Sequence, residues 1–155
     1  MRLVVSSKGS KYLVEDKKSR LLYTVKKKGF GKRYILLDSS EYNLYTFTQE
    51  GDERKPNFSI ILNDNVLLKL ECTSMFLDPS INVHGDNLQF LLKSKDRRSF
   101  EILVGDEKIG FIETLLTVAG DLQYEVEIDD KYFDDYIPLF AVALDKAFGD
   151  INKKK

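Results

Sequence analysis

The sequence predicts a mainly β domain: an antiparallel, barrel-like sheet of about 12 strands enclosing one buried, hydrophobic C-terminal helix. Three observations predict it. Short segments of alternating apolar and polar residues recur along most of the chain, separated by turn residues. Near the end the pattern changes once, to a run with neither alternation nor charge. The connections are too short for crossovers, so consecutive strands are antiparallel neighbours.

The strands follow in order. Tyr12–Glu15 ends at Asp16-Lys17-Lys18-Ser19, and Leu21, Tyr23 and Val25 then share one face of the next strand. Gly29-Phe30-Gly31 breaks that strand, and Tyr34–Leu37 follows, closed by Asp38-Ser39-Ser40. Leu44–Thr48 precedes a polar loop containing Gly51 and Pro56. Phe58, Ile60 and Leu62 line one face, and Asn63-Asp64-Asn65 turns into Val66–Leu70. In the second half Leu88, Phe90 and Leu92 alternate, as do Phe100, Ile102 and Val104. Gly105-Asp106 turns into Lys108–Ile112, and Tyr124, Val126 and Ile128 oppose Gln123, Glu125 and Glu127. A period of two with polar residues opposite means one buried face and one wet face.

The run Asp134–Gly149 reads as the helix. Asp134 or Asp135 is its expected N-cap, Pro138 fits the first turn, and Gly149 is placed where a left-handed C-terminal cap belongs. From Tyr136 to Leu144 no residue is charged, and a helix apolar all round is buried on every side. At about 1.5 Å per residue it spans roughly 20 Å, too short for a bilayer. A barrel with the helix in its lumen satisfies both patterns. An open sandwich with the helix capping one end is the competing arrangement.

The chain of 155 residues suits one domain, assigned to residues 1–150, with 151–155 as a basic tail ending in Lys153, Lys154 and Lys155. A lone cysteine, Cys72, rules out an internal disulfide and suits a reducing compartment. No apolar run reaches the length of a signal peptide core or a membrane span, so the expected address is cytoplasmic, with a peripheral membrane association in one reading. The formal net charge is −1, unevenly placed: residues 1–56 hold 13 Lys/Arg against 7 Asp/Glu, and residues 57–150 hold 8 against 18. That balance argues against nucleic acid as a partner.

The order of elements resembles the tubby C-terminal-like superfamily, which includes LURP-one-related proteins and phospholipid scramblases. The resemblance spans nearly the whole chain. It lies in the hairpin Tyr12-Leu13-Val14-Glu15-Asp16 with Leu22–Lys28, then Tyr34–Asp38, then Phe100-Glu101-Ile102 with Lys108–Ile112, and last Tyr124–Ile128 and the apolar helix. It implies a 12-stranded barrel around a central helix, in a compact member of bacterial type. It implies a binding or signalling role, at membranes in some members. The Pro-rich and Cys-rich extension of scramblases has no counterpart here, and no phosphoinositide-contacting position is carried over.

Candidate sites are few. Lys26, Lys27, Lys28, Lys32 and Arg33 surround Phe30, and Lys93, Lys95, Arg97 and Arg98 form a second basic stretch. Both suit contacts with an anionic surface, although solvated charge runs are common. Gly29-x-Gly31 lacks the third glycine of a dinucleotide loop and is followed by a strand, so turn geometry accounts for it. Asp129, Asp130, Asp134 and Asp135 match no metal-binding loop. His84 and Cys72 form a nucleophile pair only if folding brings them together. No catalytic residue, cofactor or metal ligand is therefore assigned. The sequence points to a non-enzymatic binding module that engages anionic membrane lipids through its basic hairpins. Its alternative is a cytoplasmic protein-interaction or regulatory domain without lipid affinity.

Overall fold

Each strand pairs antiparallel with its neighbours in sequence, and the first pairs with the last, so the sheet closes on itself. The computed structural model describes residues 1–153. The strands are β1 (Arg2–Lys8), β2 (Lys11–Glu15), β3 (Leu21–Lys27), β4 (Arg33–Asp38), β5 (Asn43–Glu50) and β6 (Asn57–Leu62). They continue as β7 (Asn65–Ser74), β8 (Ser80–His84), β9 (Gln89–Ser94), β10 (Ser99–Val104), β11 (Glu107–Leu116) and β12 (Leu122–Ile128). A short 3-10 turn, Asp130–Tyr132, leads to α1 (Pro138–Lys153). The closed barrel is thus the arrangement found, not the open sandwich. The registers Arg2↔Glu127 to Ser6↔Gln123 form the closing seam.

The helix lies in the lumen. Ile137 to Leu144 are all buried, so no flank of this stretch meets water. The contacts of α1 reach opposite staves. Phe148 meets Phe100 of β10 with ring centroids 5.5 Å apart, while the Lys146 ammonium lies 4.8 Å from the Tyr34 ring of β4. In a ring of 12 strands β4 and β10 are diametrically opposed. Inward residues of the staves, among them Val5, Val25, Phe47, Ile60, Leu70, Val83, Leu92, Ile102 and Val126, complete one continuous core.

Several expectations are corrected. β1 and β8 are strands that the alternation did not reveal. Neither Asp134 nor Asp135 caps α1, which begins at Pro138. A carboxylate in the first turn would sit in the apolar lumen, so both aspartates stay at the rim. The first free N–H groups are met instead by tight turns, Leu139 N–H to Tyr136 O and Phe140 N–H to Ile137 O, both 2.9 Å. Gly149 does not end the helix. A Cβ there would stand 2.8 Å from Asp145 Oδ1, so the glycine is a notch for that carboxylate. The helix continues through residues 151–153, the first three of the expected tail; Lys154 and Lys155 lie outside the described residues.

Candidate functional site

Strict alternation of direction sorts the connections by end. The hairpins β1–β2, β3–β4, β5–β6, β7–β8, β9–β10 and β11–β12 all lie at one end, with the last turn of α1. The other connections lie at the opposite end, with the start of α1.

The two ends differ in charge. At the first, the β1–β2 turn carries Lys8 and Lys11, the β3–β4 turn carries Lys27, Lys28, Lys32 and Arg33, the β5–β6 turn carries Arg54 and Lys55, and the β9–β10 turn carries Lys95, Arg97 and Arg98, against Asp52, Glu53, Asp78, Asp96 and Asp121 in the turns there. We call this the basic rim. The opposite rim carries Asp38, Glu41, Asp64, Asp86, Asp106 and Glu107, then Asp129, Asp130, Asp134 and Asp135, against the cations of the β2–β3 turn. This polarity complements the helix dipole, whose negative end is at the basic rim.

Both predicted basic stretches therefore face the same way. They do not merge into one patch, because β3–β4 and β9–β10 stand on opposite sides of the ring. Lys26 projects from β3 just below its turn, and Lys93 from β9 opposite Glu101 of β10. Lys32 is paired with Glu53 of the β5–β6 turn at 2.6 Å, and this contact holds the Glu53 carboxyl below the usual range. Arg98 is tied inward, its Nη2 donating to the Asn152 carbonyl at 2.9 Å, while Asn152 Nδ2 donates to Arg97 O at 2.7 Å. That turn is rigidly built. Burial opposes ionisation of Asp96, but the Ser99 and Arg98 N–H groups and the Ser94 hydroxyl outweigh it and hold the carboxyl low.

Sequence reasoning missed Lys8 and Lys11. Register places Lys8 opposite Lys11, and Lys11 opposite Lys26, in one cross-strand row. Like charges directly opposite each other destabilise a sheet. Among the described residues none of the three has a carboxylate within salt-bridge distance. Only the strand pairing, and no spacing in the sequence, brings them together.

Two surface clefts open beside the basic hairpins. One, of about 640 Å³, is lined by Lys28, Phe30 and Arg33 with Tyr45, Thr46 and Ile61. The other, of about 650 Å³, is lined by Lys93, Lys95 and Lys108 with Phe100 and Phe111. The wall between is wet, with Lys69, Glu71, Glu101, Glu125 and Glu127 facing outward.

The remaining candidates are separated or otherwise engaged. Cys72 points into the core, where burial pushes its thiol up to about 12. His84 lies on the outer face, with Nε2 3.0 Å from Glu71 Oε1, so the two form no nucleophile pair. Native Cys72 should react with iodoacetamide at pH 8 about a hundred-fold more slowly than in urea, as mass spectrometry of labelled protein will measure. The four clustered aspartates have protein partners. Asp129 caps the 3-10 turn, Asp130 pairs with the Met1 amine, Asp135 accepts from the Tyr23 hydroxyl, and Asp134 accepts from the Asp135 N–H.

One buried polar cluster also escaped the sequence reading. Asp145 of α1 accepts from the hydroxyls of Tyr12 at 2.6 Å and Tyr124 at 2.7 Å, fixing the helix to β2 and β12. Asp145→Ala leaves two buried hydroxyls without an acceptor and should lower stability by about 2–4 kcal/mol in urea titrations, with Asp145→Asn recovering part of the loss. Burial, then the Asp145 charge, raises both phenols; burial, with Asp134 nearby, raises Tyr45 and Tyr136 to about 12. A phenol whose folded value is raised stabilises fully below its unfolded value of about 10, and that stability is lost as pH rises through the folded value. The melting temperature should therefore fall from pH 10 upward, with the tyrosinate absorbance of these buried phenols appearing together with unfolding.

Three comparisons with known proteins bear on this geometry. A family model described as LURP-one-related matches residues 1–145. No curated protein matches the chain. An X-ray structure of a protein from Arabidopsis thaliana is similar, with a TM-score of 0.59 and 19% sequence identity, covering 97% of this chain and 91% of that chain. At that identity the likeness concerns the fold. Among the described residues no helix is long and apolar enough to cross a membrane.

Proposed function

The chain belongs to the LURP-one-related family, and on that premise we propose that it is a non-enzymatic binding module that docks end-on, through its basic rim, onto an anionic lipid surface. Its place is the cytoplasmic face of a membrane. The observation that carries the reading is the uncompensated row Lys8–Lys11–Lys26, beside Lys27 and Lys28 on the same rim. A sheet keeps opposed like charges at a cost. An anionic surface converts that cost into attraction, worth about 1 kcal/mol for each cation near it. The charged wall supports an end-on approach, because a bilayer cannot cover it without desolvating Glu101, Glu125 and Glu127. The negative end of the helix dipole favours cations at this rim, but an attraction of that kind falls off within the last turn. Among the described residues α1 and the inward side chains of the strands fill the lumen, which favours surface binding over small-molecule carriage. We also place the chain within the wider tubby C-terminal-like group, on the order of its strands and helix.

The test is co-sedimentation with phosphatidylserine-containing and with pure phosphatidylcholine vesicles, at low and at high salt. Selective binding to the anionic vesicles that salt weakens supports the reading. Absence of binding at low salt removes it, leaving a cytoplasmic protein-interaction domain as the reading to pursue.

A further inference from the structure

We propose that three basic-rim hairpins carry insertion tips. Phe30, the Phe76–Leu77 pair and Val118 enter the apolar boundary of an anionic bilayer, while the charged hairpins between them stay at headgroup level. The inference rests on the end-on reading and adds to it a desolvation step that charge attraction alone does not need.

The side chains stand out by exposure. Phe30 is 103% exposed, Val118 109%, Leu77 86% and Phe76 74%. Single exposed apolar residues are ordinary; their shared placement is not. All four lie at the basic rim, at the tips of β3–β4, β7–β8 and β11–β12. At the opposite rim the most exposed apolar side chain among the described residues is Tyr42, at 73%, which carries a hydroxyl.

The closed strand order adds the geometry. Those hairpins are every second one around the rim, so their centres fall four staves apart, about one third of the circumference each. The hairpins between them expose no large apolar side chain: β1–β2 presents Lys8 and Lys11, β9–β10 Lys95, and β5–β6 Asp52 to Lys55.

The tips are held, not loose. Gly29 and Gly31 take positive φ of 68° and 83° on either side of Phe30, and buried Met75 anchors the loop that presents Phe76 and Leu77. A peptide or small ligand would occupy one concave place. Three separated convex tips on a ring define a plane, and a bilayer surface is the planar partner whose apolar interior and anionic face match both components.

The sequence contains no tryptophan, so an introduced one is the sole reporter. Phe30→Trp, Leu77→Trp and Val118→Trp should each blue-shift on phosphatidylserine-containing vesicles and be quenched by lipids brominated on the upper acyl chain. Tyr42→Trp, at the opposite rim, should do neither. The triple variant Phe30→Ser/Leu77→Ser/Val118→Ser should keep its melting temperature and bind at low salt, but lose about a hundred-fold in affinity. Trp variants that co-sediment yet keep water-exposed, unquenched emission would overturn the insertion and leave electrostatic docking intact. Failure of the unmodified protein to co-sediment would remove docking and insertion together.

Discussion

Ala143→Asp should leave the chain without a cooperatively folded state. Ala143 is fully buried, as are Ala141, Val142 and Leu144 around it, and α1 touches staves on opposite sides of the ring. A carboxylate there has no partner and no path to water. Burying a lone carboxylate in an apolar lumen costs more than breaking an existing buried ion pair, itself about 3–5 kcal/mol. If the group protonates, its volume still overpacks the lumen by about 1–3 kcal/mol. Domains of this size hold about 5–15 kcal/mol in all. Circular dichroism should show no sharp thermal transition. Asp150→Ala, at an exposed site on the same helix, should melt like the parent. A normal melt for Ala143→Asp would mean that α1 is not enclosed.

Reversing three rim charges, Lys11→Glu with Lys27→Glu and Lys28→Glu, should lower affinity for anionic vesicles by about a hundred-fold or more. Three lost attractions at about 1 kcal/mol each give that factor before repulsion is added. Stability should move the other way. Lys11 stands between Lys8 and Lys26, so a glutamate there turns two repulsive cross-strand pairs into attractive ones, each worth about 0.2–1 kcal/mol. Weaker binding with an equal or higher melting temperature is the pattern a binding surface gives. Unchanged binding would remove the rim from the mechanism, and a lower melting temperature would make these lysines structural. Arg98 is left out because its bond to Asn152 ties it to the helix.

The barrel and its helix were legible because both patterns are local. Phe58 and Ile60, or Tyr124 and Val126, alternate with polar residues. Tyr136 to Leu144 lacks the polar stripe of a surface helix. β1 was hidden because Val4 blurs the alternation of Leu3 and Val5, and β8 because Ile81 and Val83 are its only apolar residues. The loss of β8 mattered most for the site. Which end a hairpin occupies depends on counting strands, and one omission between the two basic stretches reverses their relative direction. The Lys8–Lys11–Lys26 row likewise needs β1 and two registers. Gly149 was misread because its reason is the Asp145 carboxylate beside it, a tertiary fact. The exposed tips at Phe76 and Val118 carried no signal, since an apolar residue in a sequence reads first as core.

The closing seam also sets the order of assembly during synthesis. All other strand pairs join neighbours in the chain, but β1 and β12 are brought together across 125 residues, as in the Arg2–Glu127 contact. A ribosome adding about 5–20 residues each second delivers the hairpins one by one, long before their last partner exists. Until then the nascent sheet has an uncovered apolar face and two open edges, and the plug that fills it is made last. Chains translated close together are at greatest risk in that interval, when the helix of one can enter the unfinished ring of another.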